Sequence, residues 1–274
     1  MIKAEDLPVY QQRDRILDIF SRHRAVVIES PTGSGKTTQL PIILHKAGYS
    51  SSGIIGVTQP RRIAALSVCD YIAAQIGSTV PGKVGYKMRF EDQTNQETII
   101  KIMTDGILLQ ELKADPDLTR YSMIMVDEAH ERSLNIDFIL GMLKRIQSRR
   151  SDFSILISSA TINAEIFSAY FDDCPVVRID AHTFPVALTY VPRQEGNDSL
   201  VSDVIDHVRK IVDSDDLGDI LIFLPGERVI KECVSGIYGL PQRKELLVLP
   251  LYGRLSREEQ EQVFVPAPKG MRKI

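Results

Sequence analysis

The chain has 274 residues, of which 43% are hydrophobic and 25% charged, as in ordinary globular proteins. This length predicts one to two domains, and the composition argues against a disordered, collagen-like or disulfide-stapled protein. With 33 basic and 36 acidic residues the net charge is −3, so any nucleic-acid site must be a local patch. Three widely spaced cysteines indicate a reducing compartment. No secretion signal or membrane-length apolar run is visible, which predicts a cytoplasmic protein with no membrane partner.

Short apolar runs alternate with helical patterns through the first two thirds of the chain. Near-continuous apolar strands separated by helices are typical of a parallel sheet covered on both faces, so we predict an α/β fold. The predicted strands are Ala25–Ile28, Ile54–Thr58, Thr98–Met103, Ser122–Val126, Ser154–Ile157 and Val176–Ile179. The predicted helices are Lys36–Ala47, Ile63–Ile76, Gly106–Leu112, Leu134–Gln147 and Ala164–Tyr170.

The pattern breaks near residue 182 and then resumes, which predicts domains over residues 1–182 and 183–274. Amphipathic spacing indicates a helix over Leu200–Val212, and another begins near Arg228. The predicted strands of this second unit are Val186–Val191, Asp219–Leu224, Leu246–Leu251 and Met271–Ile274.

A glycine-rich loop follows the first predicted strand and opens a helix with Gly-Lys-Thr. Glycines let backbone N–H groups wrap phosphates, and the helix N-terminus adds the positive end of its dipole. Ser30 replaces the first glycine of the usual pattern. The alternative interpretation is a glycine-rich turn that only caps a helix. The predicted nucleotide-binding residues are Thr32, Gly33, Ser34, Gly35, Lys36, Thr37 and Thr38.

Two carboxylates, Asp127 and Glu128, follow an apolar strand. If this strand lies beside the loop strand, Asp127 and the Thr37 hydroxyl can hold Mg²⁺. Glu128 can then act as the base that orients and deprotonates water, with Lys36 on the phosphates. In isolation, the same pair is also typical of an exposed strand end.

These motifs together carry a family resemblance. Asp127–His130 reads D-E-A-H, after G-S-G-K-T-T and before S-A-T at 159–161, and T-Q-P-R-R, T-D-G, F-L-P-G and L-Y-G-R-L-S occur in the matching order. The chain resembles the bacterial DEAH-box RNA helicases of superfamily 2. The resemblance implies a P-loop, RecA-like sheet domain and a second RecA-like domain, with ATP or another nucleoside triphosphate and Mg²⁺ bound between them. It also implies that His130 communicates between the nucleotide site and the other domain as a coupling residue, and that Ser159 and Thr161 couple hydrolysis to strand separation. Ser159 and Thr161 alone can also be read as helix-capping residues.

Single-stranded RNA, or a duplex with an overhang, is the partner that the resemblance implies. Guanidinium groups bind phosphate oxygens well, which makes Arg61, Arg62 and, in a hairpin-like segment, Arg89 the candidate contacts. Thr104 and Gly106, at a helix start, are the other two. Solvated or ion-paired arginines are the alternative. Backbone contacts of this kind predict binding that is independent of sequence and sensitive to salt.

The family's arginine-rich pattern Q-R-x-G-R-x-G-R does not occur in these residues. The resemblance therefore implies an incomplete second domain, with nucleotide binding, weak hydrolysis and no unwinding by this chain alone. Tyr71 aligns where relatives place an arginine against the base, and it can stack there or only pack. No activating protein partner can be predicted.

Two other functions stay open. A non-catalytic module would bind RNA or a partner and use nucleotide only as a conformational ligand. A P-loop NTPase outside the helicases is disfavoured by T-Q-P-R-R, S-A-T and L-Y-G-R-L-S.

Overall fold

The computed structural model describes residues 3–160, 164–180, 186–192, 199–214 and 218–274. The chain divides into two compact units, Met1–Phe184 and Pro185–Ile274. Within the described residues, no helix is both long and apolar enough to cross a membrane.

An eight-stranded sheet forms the centre of the first unit, in the order β4-β3-β5-β2-β6-β7-β1-β8. All neighbours are parallel except the β3–β4 hairpin. The strands are β1 (Ala25–Glu29), β2 (Ile54–Gln59), β3 (Val84–Met88), β4 (Glu91–Gln93), β5 (Ile100–Thr104), β6 (Tyr121–Val126), β7 (Ser154–Ser159) and β8 (Val176–Arg178).

Helices cover both faces of this sheet, because successive apolar side chains of each strand point to opposite sides. The helices are α1 (Pro8–Gln11), α2 (Arg13–Arg22), α3 (Lys36–Lys46), α4 (Arg62–Ile76), α5 (Asp105–Ala114), α6 (Leu134–Arg149) and α7 (Ala164–Tyr170). In β1, Val26 and Ile28 join the core beneath α1–α4, whereas Ala25 and Val27 join the core beneath α5–α7. This is the predicted α/β, RecA-like architecture.

All six predicted strands and all five predicted helices of this unit are confirmed, with ends shifted by up to two residues. The helices α1 and α2 and the strand β3 are not among the predicted elements, although Val84, Tyr86 and Met88 alternate along β3 and are buried. The hairpin-like segment that carries Arg89 is the antiparallel β3–β4 pair. Gly85 in β3 is required there, because a Cβ would lie 2.4 Å from the Gln93 carbonyl oxygen.

The second unit has a small core that includes Val208, Ile237 and Leu246. Its elements are α8 (Leu200–Val212), α9 (Glu227–Tyr238), β9 (Leu246–Leu247), α10 (Arg257–Glu261) and β10 (Arg272–Lys273). The two strands are parallel to each other. The predicted helix at Leu200–Val212 is confirmed.

Four strand predictions in the second unit need correction. Val186–Val191 and Asp219–Leu224 form no strand, and the other two shrink to the two-residue strands β9 and β10. An apolar run becomes a sheet strand only where a neighbouring strand completes its hydrogen bonds. In the run Asp219–Leu224, Leu221 and Phe223 are 78% and 88% exposed, so this run lacks the cover that its composition suggested.

Candidate nucleotide and nucleic-acid site

The loop between β1 and α3 adopts a conformation that needs its glycines. Gly33 and Gly35 have φ of +82° and +90°, in the left-handed region that favours glycine. A Cβ on Gly35 would also lie 3.0 Å from Cδ1 of Leu7. Lys36 is the first residue of α3, so the N-terminus of this helix faces the loop.

An open cavity of about 400 Å³ lies over this loop. All seven residues predicted to bind nucleotide line it, together with Glu128, Leu7 and Tyr71. Leu7, which comes from the segment before α1, is a lining residue that no motif of the sequence predicts. Tyr71 faces the cavity, and its hydroxyl accepts a hydrogen bond from Gln75 Nε2 at 3.0 Å.

Lys36 is a buried cation in this cavity. Its ammonium donates to the carbonyl oxygens of Ser30 and Pro31, the latter at 3.0 Å. Burial lowers the pKa of Lys36, and the carboxylates of Asp127 and Glu128 oppose that shift. An anion placed in the cavity would therefore compensate a charge that the fold solvates poorly.

Asp127 is fully buried at the carboxyl end of β6. Its Oδ2 accepts hydrogen bonds from Thr37 Oγ1 and from Gln59 Nε2, and its Oδ1 is buried with no partner among the described residues. A hydroxyl and a carboxylate form the hard-oxygen set that suits Mg²⁺, so Thr37 and Asp127 fit this ion.

The expectation that the strand before Asp127 lies beside the loop strand is wrong. β6 does not lie beside β1, because β7 is inserted between them. Thr37 still contacts Asp127, since α3 begins above the carboxyl edge of the sheet and carries its first turn towards β6. The contact depends on the helix start rather than on adjacent strands.

Glu128 follows in the left-handed conformation, with φ of +52°, and borders the cavity. Burial raises its pKa, and the Asp127 carboxylate adds to that rise, while His130 and Lys36 oppose it. His130 Nε2 lies 3.4 Å from Glu128 Oε2. A carboxylate of raised basicity at the edge of the cavity is suited to accept a proton from water.

The DEAH loop also contacts the loop that follows β7. His130 Nδ1 accepts a hydrogen bond from the Ala160 N–H at 3.3 Å. Since Nδ1 accepts, Nε2 is the ring nitrogen that carries the hydrogen facing Glu128. Ser159 is buried at the end of β7, directly before Ala160, whereas Thr161 lies outside the described residues.

The five candidate RNA-binding residues lie at or just after the carboxyl ends of three neighbouring strands, β3, β5 and β2. Arg61 and Arg62 come after β2 and are exposed, and Arg61 Nη2 pairs with Glu131 Oε1 at 3.1 Å. Thr104 and Gly106 flank the start of α5. Arg89 lies at the tip of the β3–β4 hairpin, 5.1 Å from the ring centre of Phe90. In the described part of the unit, none of the five lines the cavity.

Comparisons with known proteins agree with this arrangement. The family described as DEAD/DEAH box helicase matches residues 10–168, more than half of the chain. The chain is 51% identical over 269 residues to the ATP-dependent RNA helicase HrpA of Borreliella burgdorferi, covering 98% of this chain and 33% of that protein. It is 44% identical over 263 residues to HrpA of Escherichia coli, covering 95% and 20%. The HrpA homolog of Haemophilus influenzae is 44% identical over 271 residues, covering 97% and 20%. The chain thus spans a fifth to a third of the length of these relatives.

Proposed function

This chain belongs to the DEAD/DEAH box helicase family, and we propose that it binds a nucleoside triphosphate with Mg²⁺ in the first unit and hydrolyses it in response to RNA. One observation carries the proposal. The seven loop residues and Glu128 line a single cavity, while Thr37 of that loop is hydrogen-bonded to the buried Asp127.

The residues divide the chemistry among them. Lys36 neutralises the β- and γ-phosphates, and the backbone of the loop surrounds them. Thr37 and Asp127 hold Mg²⁺, which when bound offsets the charge that develops on the phosphate oxygens. Glu128 accepts the proton of the attacking water. The water oxygen joins the γ-phosphorus as the bond from that phosphorus to the β-bridging oxygen breaks, which releases nucleoside diphosphate and phosphate.

RNA is the second proposed ligand, and its backbone runs along the edge formed by β3, β5 and β2. Arg61, Arg62 and Arg89 supply guanidinium groups for phosphate oxygens. A Cβ on Gly106 would have no described residue within 4 Å apart from its chain neighbours and its own helix, so a nucleic-acid backbone can approach Gly106 closely. His130, Ser159 and Thr161 are the proposed coupling residues between this edge and the nucleotide.

Strand separation is proposed for the longer helicases that this chain resembles, because the chain spans only part of their length. The proposed partner is single-stranded RNA or a duplex with a single-stranded overhang. A cytoplasmic location stays a prediction.

Phosphate release measured with and without single-stranded RNA tests the proposal on the full 274-residue chain. We expect weak turnover that RNA increases and that disappears in Lys36→Ala and in Glu128→Gln, with the Glu128→Gln variant still binding nucleotide. Nucleotide binding without turnover in the wild-type chain would support a non-catalytic module instead. Turnover that survives Lys36→Ala would contradict the proposed site.

A further inference from the structure

Gln59, the last residue of β2, is buried at the point where the two candidate sites meet. β2 pairs with β6 in parallel, and Thr58 lies opposite Val126. The next residue on each strand is therefore Gln59 on β2 and Asp127 after β6. The side-chain amide of Gln59 donates to Oδ2 of Asp127.

This bond sets the orientation of the metal-binding carboxylate. Oδ2 accepts from both Gln59 and Thr37, whereas Oδ1 is buried and has no partner among the described residues. Two donors on one oxygen restrict rotation of the carboxyl group, and hydrogen bonds to a charged acceptor are stronger than neutral ones. Thr37 is needed for the ion itself, so Gln59 is the donor that can hold Asp127 after the ion has bound.

The chain continues from Gln59 directly into the candidate RNA-binding loop. Arg61, two residues later, forms an ion pair with Glu131, four residues after Asp127. The loop after β2 and the loop after β6 are thus joined twice, by the buried Gln59–Asp127 hydrogen bond and by the exposed Arg61–Glu131 pair. A shift of the Arg61 loop therefore bears directly on the Asp127 carboxylate.

We infer that Gln59 is a positioning residue that holds Asp127 for Mg²⁺ and links RNA binding at Arg61 and Arg62 to the affinity for Mg²⁺–nucleotide. This inference rests on the proposed function and assigns a role to a residue that touches neither nucleotide nor RNA. When RNA phosphates engage the loop, Mg²⁺–nucleotide binds more tightly, and by linkage Mg²⁺–nucleotide tightens RNA binding by the same factor.

Calorimetric titration of ADP into the full chain, in Mg²⁺ and in EDTA, tests the positioning role. Gln59→Met keeps a similar volume and removes the donor. Outer partners of metal ligands typically contribute about 10- to 100-fold to metal affinity, so we expect the tightening of ADP binding by Mg²⁺ to fall about tenfold. The affinity measured in EDTA stays as in the wild type. Thr98→Val is the matched control, because Thr98 is a buried donor to the Gly82 carbonyl away from the site.

The outcomes of this titration distinguish a failure of the positioning role of Gln59 from a failure of the proposed function. A normal Mg²⁺ effect in Gln59→Met overturns the inference and leaves the proposed function standing. Equal weakening with and without Mg²⁺ also overturns it, because that pattern indicates general damage to the fold. If the wild-type chain binds no ADP in either buffer, the proposed function fails, and the inference fails with it.

Glu131→Gln tests the link to RNA. Glu131 is the partner of Arg61 in the ion pair at the surface, so this substitution does not disturb the core. With Mg²⁺ present, we expect single-stranded oligouridine to tighten ADP binding in the wild type and to do so at least threefold less in this variant. ADP affinity without RNA stays unchanged. An undiminished RNA effect in Glu131→Gln would overturn the proposed linkage, even if Gln59→Met does not fold.

Discussion

We expect Glu111→Gln to destabilise the first unit by about 3 kcal/mol, because it leaves a buried ammonium without its carboxylate. Lys101 lies in β5 with a side chain only 7% exposed, and it pairs with Glu111 of α5, which is 19% exposed. The Tyr121 hydroxyl also donates to Glu111. Burial lowers the pKa of Lys101, and Glu111 opposes that shift.

The expected loss of folding stability differs between substitution of Glu111 and substitution of Lys101. Breaking a buried ion pair by removing one partner typically costs about 3–5 kcal/mol, and the lower figure applies because glutamine still accepts hydrogen bonds. Lys101→Met removes the more buried charge, and Glu111 keeps Tyr121 and has Lys87 at 3.9 Å, so we expect about 1 kcal/mol. The double variant loses both charges together, which predicts a coupling energy of about 2 kcal/mol.

The pH dependence separates charge burial from lost packing. In Glu111→Gln the pKa of Lys101 falls further below its unfolded value, so the unfolded state binds more protons between the two values. Stability then rises with pH through that window, which lies below the unfolded-state lysine pKa of about 10.4, so we expect a smaller deficit at about pH 9 than at about pH 7. A deficit caused by packing would not change over this range.

Urea denaturation followed by far-ultraviolet circular dichroism measures these differences, since the chain has no tryptophan. The single and double variants are compared at both pH values. Additive costs in the double variant, or a deficit in Glu111→Gln that is constant with pH, would refute this interpretation of the pair.

Two further predictions concern thiols and RNA. All three cysteines are buried, and burial raises the pKa of Cys174 to about 11, so native protein resists alkylation by iodoacetamide at about pH 8. Rapid labelling of the native chain would contradict this packing. Arg62→Gln weakens single-stranded RNA binding for all sequences and lowers the salt slope in a log–log plot by about 0.7, as measured by fluorescence anisotropy. The exposed Arg145 on α6 supplies the matched control, Arg145→Gln, and an equal loss there would count against a specific role for Arg62.

The strands and the loop of the first unit could be predicted because their signals are local. Apolar runs of four to six residues define β1, β2, β6 and β7, and the Gly-Lys-Thr sequence starts α3. The roles of Lys36 and Asp127 stay predictions. The structure places Lys36 in the lining of the cavity and Asp127 beneath it, hydrogen-bonded to the lining residue Thr37.

Contacts that depend on strand order could not be predicted from local signals. The Gln59–Asp127 bond exists because β2 lies beside β6, and the insertion of β7 between β6 and β1 is equally invisible in the linear sequence. In the second unit, a local signal for a strand is present but no strand forms. Asp219–Leu224 has the composition of a buried strand, but composition does not supply the neighbouring strands that a sheet needs.

The most direct test of the nucleotide site is the thermal stability of the full chain with Mg²⁺–ATP, compared between the wild type and Lys36→Ala. Ligand at about 100 times its Kd stabilises the folded state by about 2.7 kcal/mol, which for a unit of this size raises Tm by roughly 5–10 °C. Loss of the Lys36 charge–phosphate contact weakens binding by about 2 kcal/mol, so at the same ligand concentration the shift in Lys36→Ala falls to roughly 2–4 °C. An equal Tm shift in both proteins would mean that the nucleotide binds elsewhere or that Lys36 does not contact its phosphates.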